Sequence, residues 1–306
     1  MIKNKILVAG GTGFIGYHLC KFFTKKKWIV HSISKKNTSV SRRVKNVKYF
    51  KCDITKKKNF KKLDQFYDYI INLSGYVDHR NIKFVTKMHY NGTKNLVLNF
   101  LDRKPKKFIH IGTSIENGKK VSPQKESVKI RSLDTKSFYG NAKLKTTIFL
   151  LSLYRKFRFP VCIIRFYLVY GPTQDNNRLI PFVINNSIKS KEFNCSPGNQ
   201  YRDFMYIDDG VNAIYKALIS NKSAGQIFNI GSGKPIKIKD LIKKIVKKIG
   251  KGTPKFSKNK LRVDEPNRLY PNILKAKNFL SWTPKVSLEN GLYKTILYFK
   301  KNIKKG

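Results

Sequence analysis

Acidic residues are the conspicuous shortage in this 306-residue chain: 17 Asp and Glu stand against 65 Lys and Arg, a formal charge of +48. Two accounts of that charge compete, a polyanion partner or compositional drift. Lysine runs through nearly every segment, whereas a nucleic-acid reader gathers arginine and aromatics on one face. Drift is the preferred account, with nonspecific polyanion binding at low salt as its by-product and no dedicated nucleic-acid site. Cysteine is also scarce. Cys20, Cys52, Cys162 and Cys195 are scattered, with no metal-ligand spacing, which argues against a disulfide framework and for buried thiols in a reducing compartment. The five histidines are equally dispersed, so no metal site is expected. No apolar run approaches the ~20 residues of a membrane span. A strand pattern begins at the first residues and leaves no room for a signal peptide, so the expectation is a soluble, cytoplasmic protein.

What is present is concentrated at the start. Ile6-Leu7-Val8 reads as a buried strand, and Gly10, Gly11 and Gly13 form a turn. Phe14, Ile15, Leu19, Phe22 and Phe23 then recur at helical spacing. A glycine turn between a strand and a helix N-terminus offers unpaired backbone N–H groups to an anion, with the helix dipole behind them. Gly10 permits the turn, Gly13 lets a pyrophosphate approach, and Gly16 lets the helix pack on the strand. Dinucleotide binding is the reading, with Thr12, Phe14 and Ile15 in the same loop.

The spacing Gly10-x-x-Gly13-x-x-Gly16 resembles the glycine motif of the short-chain dehydrogenase/reductase superfamily. Gly-Gly-Thr-Gly-Phe-Ile-Gly is similar to its extended branch, the nucleotide-sugar-modifying NAD-dependent epimerase/dehydratase family. That resemblance implies a doubly wound Rossmann-type α/β fold with a parallel sheet and a smaller C-terminal α/β lobe. It assigns 1–170, rejoined by 203–232, to the dinucleotide domain, and 171–202 with 233–306 to the nucleotide-sugar lobe. Strand and helix patterns alternate through Arg165, in keeping with that class.

Further motifs follow in order. A second strand, 28–34, ends at Ser34, where an NAD-selective fold would carry an acid for the ribose hydroxyls. Lys35 and Lys36, with Arg42 and Arg43 beyond, suit a 2′-phosphate, so NADP is favoured over NAD. A third strand runs 47–53. Asp53 is similar to the family's adenine-contacting aspartate, with Ile54 beside it, or else caps a helix. A fourth strand ends in small residues, placing Leu73, Ser74 and Gly75 along the cofactor. Asn91-Gly92-Thr93 opens a helix over 94–101 and resembles the family's Asn-x-x-Gly-Thr region, with Asn91 in a supporting role.

A fifth strand leads into Thr113 and Ser114. Tyr139 and Lys143 lie four apart and so share a helix face. A phenol is a poor base near neutrality, and a neighbouring ammonium, with the positive nicotinamide of the oxidised cofactor, lowers its pKa. The segment resembles the family's hydroxyl–Tyr–Lys triad, with Thr113 as the catalytic hydroxyl and Ser114 as an alternative that contacts substrate. The family's dehydratases carry an acid two residues after that hydroxyl. Here the position is Ile115, and Glu116 falls one step later. A 4-keto reductase or C4 epimerase is therefore preferred to a dehydratase, with a slight lean to the reductase. A non-catalytic polyanion-binding member is the outlying alternative.

The sixth strand, 161–166, runs into Tyr167-Leu168-Val169-Tyr170-Gly171-Pro172, similar to the family's Arg-x-x-Asn-Val-Tyr-Gly-Pro with Leu168 in place of asparagine. A helix begins within 177–181, where Arg178 is a phosphate ligand or a surface charge. Arg202-Asp203-Phe204 resembles a family signature whose arginine clamps the substrate pyrophosphate, while Asp208 and Asp209 are expected to cap a helix over 211–219. Arg268 is a second phosphate ligand or a surface group. A lysine-faced helix is expected over 236–249, and 251–254 reads as a loop. The resemblance implies a nucleotide-sugar substrate and a homodimer.

Overall fold

The computed structural model describes residues 3–35, 42–75, 82–118, 121–126, 137–257 and 266–303. Lys36 lies outside them. The strands, in chain order, are β1 Lys5–Ala9, β2 Ile29–Ser34, β3 Val47–Lys51, β4 Tyr69–Asn72, β5 Lys107–Thr113, β6 Val161–Phe166, β7 Leu168–Tyr170, β8 Glu192–Cys195, β9 Tyr201–Tyr206, β10 Ile227–Ile230, β11 Pro235–Lys237, β12 Thr253–Phe256 and β13 Arg268–Leu269. The α-helices are α1 Phe14–Lys25, α2 Ile82–Thr86, α3 Thr93–Leu98, α4 Phe138–Phe157, α5 Leu179–Ile188, α6 Ile207–Ile219, α7 Ile238–Ile249, α8 Leu274–Leu280 and α9 Leu288–Ile303.

Seven strands pair in parallel in the order β10-β6-β5-β4-β1-β2-β3. Parallel strands covered on both faces need apolar residues on both. Along β1 the side chains alternate accordingly: Ile6 and Val8 join one buried cluster with Leu19, Phe23 and Ile214, while Leu7 and Ala9 join the other with Leu96, Val97 and Leu150. The chain leaves β1 for β2 on one side and reaches β4 on the other. That reversal opens a crevice at the carboxyl ends of β1 and β4, where ligands bind open α/β sheets. A second sheet gathers β7, β9, β11 and β13, and β8 pairs with β12. All four cysteines are buried free thiols. No described helix is long and apolar enough to cross a membrane.

The structure moves several boundaries. β3 stops at Lys51, and Asp53 caps no helix: its Oδ1 accepts from the Thr55 backbone N–H and hydroxyl, a local turn that satisfies the carboxylate within two residues. The 251–254 segment is no plain loop, because Thr253–Phe256 pairs with β8. The helix expected from 236 begins at Ile238, since Pro235–Lys237 pairs with β9. Helix α6 starts at Ile207 and no side chain caps it. Asp209 instead accepts the backbone N–H groups of Lys285 and Val286, each at 2.9 Å, and its carbonyl accepts from Trp282. A carboxylate in the first turn thus ties the C-terminal segment to the sheet's helix layer.

Candidate active site

The glycine turn folds as its residues require. Gly13 is the N-cap of α1 and makes no side-chain cap bond, so the first N–H groups of the helix are left to the crevice. A Cβ on Gly16 would lie 2.2 Å from the Gly10 carbonyl oxygen and 2.6 Å from the Gly11 Cα. Only hydrogen fits there, and the helix N-terminus is held against the turn. Leu73 donates its N–H to the Ala9 carbonyl at 2.8 Å, which sets the end of β4 beside the turn. Ser74 reaches back to the Asn72 carboxamide oxygen, and Asn72 Nδ2 donates to the Thr93 hydroxyl at 2.9 Å. A bare helix N-terminus, a side-chain-free turn and small residues opposite form a cradle that suits a dinucleotide pyrophosphate.

Beyond Ser34, two of the cations expected to greet a 2′-phosphate, Lys35 and Arg42, have acidic neighbours. Lys35 Nζ lies 3.9 Å from Asp53 Oδ2. Arg42 Nη2 pairs with Asp175 at 2.5 Å and bonds the Thr173 carbonyl at 3.1 Å, while Nη1 reaches the Thr12 carbonyl at 3.4 Å. Arg42 and His18, whose Nε2 lies 2.9 Å from the Pro172 carbonyl, both tie the glycine-turn region to the loop leading toward α5.

The Tyr–Lys pair sits where the sequence places it. Ser137 caps α4 through the Gly140 N–H at 3.2 Å. One turn on, Lys143 is buried and donates to the Ile111 carbonyl of β5 at 2.7 Å. The Thr113 hydroxyl bonds the Tyr139 phenol, so hydroxyl, phenol and ammonium come together across β5 and α4. Ser114 is buried beside them. Arg178, exposed at the N-cap of α5, lies near enough to Tyr139 to favour its phenolate.

In the protein without its cofactor, burial works against the lowering of the phenol pKa that the bound nicotinamide and Lys143 are expected to bring. Tyr139 is pushed up to about 12, chiefly by burial and then by Glu116, against the pull of Thr113 and Arg178. Lys143 is itself pushed down to about 8 by burial, with Glu116 opposing. The ammonium lies in the same dry environment as the phenol and is spent on a carbonyl. Spacing on a helix fixes which groups are adjacent but not how far each is desolvated.

Other sites fall differently. Arg202 is buried, and its Nη1 donates to the Tyr201 and Pro266 carbonyls at 2.8 and 2.9 Å. Arg268 is exposed, with its guanidinium 4.9 Å from the centre of the Tyr201 ring. β13 pairs with β9 so that the two arginines lie on neighbouring strands. Asn91 is exposed. The residue of this segment that lies against Tyr139 is His89, which sequence reasoning missed. A π-helical turn over Lys87–Gly92 buries His89, and its ring meets Tyr139 edge-on at 5.0 Å between centroids. The signal was available: four residues before Thr93, the register of Asn-x-x-Gly-Thr, is His89 rather than Asn91.

A Rossmann-type sheet with this cradle and a Thr–Tyr–Lys constellation at its carboxyl edge defines an enzyme of the extended short-chain dehydrogenase/reductase type. The chain belongs to the NAD dependent epimerase/dehydratase family, whose sequence pattern matches residues 6–231. It is 28% identical to the UDP-glucuronate 4-epimerase of Thermodesulfobacterium geofontis, over 97% of this chain and 96% of that one. It is 29% identical to the dTDP-D-glucose 4,6-dehydratase of Dictyostelium discoideum, over 79% of this chain but only 62% of that longer protein. The fold matches that of UDP-glucuronic acid 4-epimerase from Bacillus cereus, solved with UDP-glucuronic acid and NAD, at a TM-score of 0.84 and 27% identity, covering 97% and 99% of the two chains.

Proposed function

We propose that this protein is an NAD-dependent epimerase acting at C4 of the sugar in a nucleotide-activated sugar. The observation that carries the reading is the Thr113–Tyr139–Lys143 constellation with Ile115, not an acid, two residues past the hydroxyl. Elimination of water needs that acid. Glu116 does not replace it, because its carboxylate is buried against Arg165. Likeness over nearly the whole chain accords with a 4-epimerase and equally with 4,6-dehydratases, so the choice between them rests on Ile115. NAD is preferred to NADP because Lys35 and Arg42 already have carboxylates beside them.

Gly10, Thr12, Gly13, Phe14, Ile15 and Gly16 would hold the pyrophosphate, Ser34 and Lys35 the adenosine ribose, Asp53 and Ile54 the adenine, and Leu73, Ser74 and Gly75 the path to the nicotinamide. When bound, oxidised NAD supplies a hydride acceptor for C4 and a positive ring that favours phenolate. Tyr139 takes the proton of the C4 hydroxyl and returns it after the sugar presents its other face. Thr113 bonds the same oxygen. Lys143 holds the nicotinamide ribose. Arg178, Arg202 and Arg268 line the route for the substrate's diphosphate, and Ser114 lies beside the reacting oxygen. In this reading 1–170, rejoined by 203–232, carries the cofactor, and the remainder carries the sugar nucleotide. Exposed Phe84, Phe138 and Ile148 on the helices around the site support a homodimer packed through them.

The test is cofactor content together with product analysis. The purified protein should carry NAD, and a panel of UDP-, GDP-, CDP- and dTDP-sugars should include one converted to its C4 epimer without net NADH formation. Stoichiometric NADPH oxidation with a 4-keto sugar would make it a reductase, and release of water to a 4-keto-6-deoxy product would make it a dehydratase.

A further inference from the structure

We propose that Glu116 is a positioning residue for the reaction: from beneath the carboxyl edge of β5 it fixes Thr113 by its backbone and sets a buried negative charge against the Lys143 ammonium. The proposal rests on the reading that Lys143 holds the cofactor. Glu116 is 3% exposed, and every contact of its carboxylate serves the site or anchors it. Oε1 accepts the Thr113 N–H at 2.7 Å. Oε2 accepts the Thr147 hydroxyl of α4 at 2.7 Å and Arg165 Nε of β6 at 3.0 Å. One carboxylate thereby joins the strand that bears the hydroxyl to the helix that bears the phenol and ammonium. A Cβ on Gly112 would fall 2.5 Å from Oε1, so the strand is bare where the carboxylate tucks beneath it. Arg165 in turn donates to Asn117 at 2.7 Å, and its Nη2 has no partner among the described residues.

The surroundings make this charge consequential. Lys143 faces the Ile111 carbonyl and His110 from β5, and Glu116 from the turn that follows. His110 is fully buried and held neutral by burial, Lys143 and His89. Tyr139 faces His89 from the π-helical turn, Thr113, Glu116, and Arg178 from α5. Among the described groups shown to act on Lys143, Glu116 is the anion. Burial alone would discharge the lysine at a still lower pH, and Glu116 opposes that.

The sign follows directly. Removing the Glu116 charge leaves Arg165 uncompensated and makes the Lys143 ammonium less favourable, so its deprotonation moves to lower pH. The probe is NADH, whose binding to the full chain is followed by nicotinamide fluorescence from pH 6 to pH 10. Wild-type affinity should weaken as pH rises, with a midpoint near Lys143's value of about 8. Lys143→Met should abolish that step. Glu116→Gln should move the midpoint down by about one unit. Because a broken buried pair threatens folding, the double variant Glu116→Leu/Arg165→Met, which replaces both charges by apolar groups, is measured alongside. It should show the same direction of shift while giving a cooperative melt. A purely structural role would lower the melting temperature and leave the midpoint at the wild-type pH, and that result in the folded double variant overturns the proposal. Failure of the 4-epimerase reading is separate: it shows as absent C4 interconversion by wild type, with the NADH midpoint still present.

Discussion

Tyr139→Phe should lower kcat/KM for the sugar nucleotide by about a hundred- to ten-thousand-fold, the span of general acid–base catalysis lost with one group. The ring stays, so its edge-on packing against His89 and the position of α4 are kept. What goes is the oxygen that bonds Thr113. The loss belongs in kcat, with NAD content and the thermal transition close to wild type, because the variant removes the group that handles the proton while leaving Lys143 on the Ile111 carbonyl. Stopped-flow measurement of C4 oxidation, beside cofactor content, checks both halves. Turnover within a few-fold of wild type would remove Tyr139 from the chemistry.

Gly16→Val should be the most damaging change in the cofactor cradle. The new Cβ would meet backbone on both sides, the Gly10 oxygen and the Gly11 Cα, and neither can swing away as a side-chain tip can. Either α1 slides off β1 or the turn opens. Overpacking of this kind costs about 3 kcal/mol. Displacing the helix N-terminus from the pyrophosphate should weaken NAD by roughly two orders of magnitude, equivalent to ~3 kcal/mol of binding. Calorimetric titration with NAD and a thermal melt read the two effects separately. Unchanged NAD affinity in the folded variant would show that the pyrophosphate lies elsewhere.

Much of this site is legible in the residues themselves, for an identifiable reason. The glycine turn, the apolar strands and the Tyr139–Lys143 pair are local patterns, each set by the geometry of one element and its period. The destinations of charged side chains are not local. Glu116 reads as an acid misplaced by one residue until β6 brings Arg165 beneath it, 49 positions along the chain. Asp209 reads as a helix cap until the 285–286 backbone supplies better donors. Arg42 reads as a free cation until Asp175, 133 positions along the chain, pairs with it. The burial that raises the Tyr139 phenol is non-local for the same reason, since spacing reports adjacency but desolvation depends on what closes over the pair. The Asn91 region turns on register: the asparagine is exposed, whereas the π-helical turn buries the histidine two positions earlier.

The place of β10 at the margin of the large sheet has a consequence for how the chain assembles. Ile227–Ile230 covers the free flank of β6, yet some sixty residues lie between them in sequence, with 171–202 assigned to the other lobe. A growing polypeptide therefore carries β6 with naked amide and carbonyl groups until synthesis passes residue 230, and such an uncovered flank invites pairing with a neighbouring chain. Cutting the protein after the last nucleotide-side motif would preserve that hazard permanently, so neither lobe is a natural unit for separate expression.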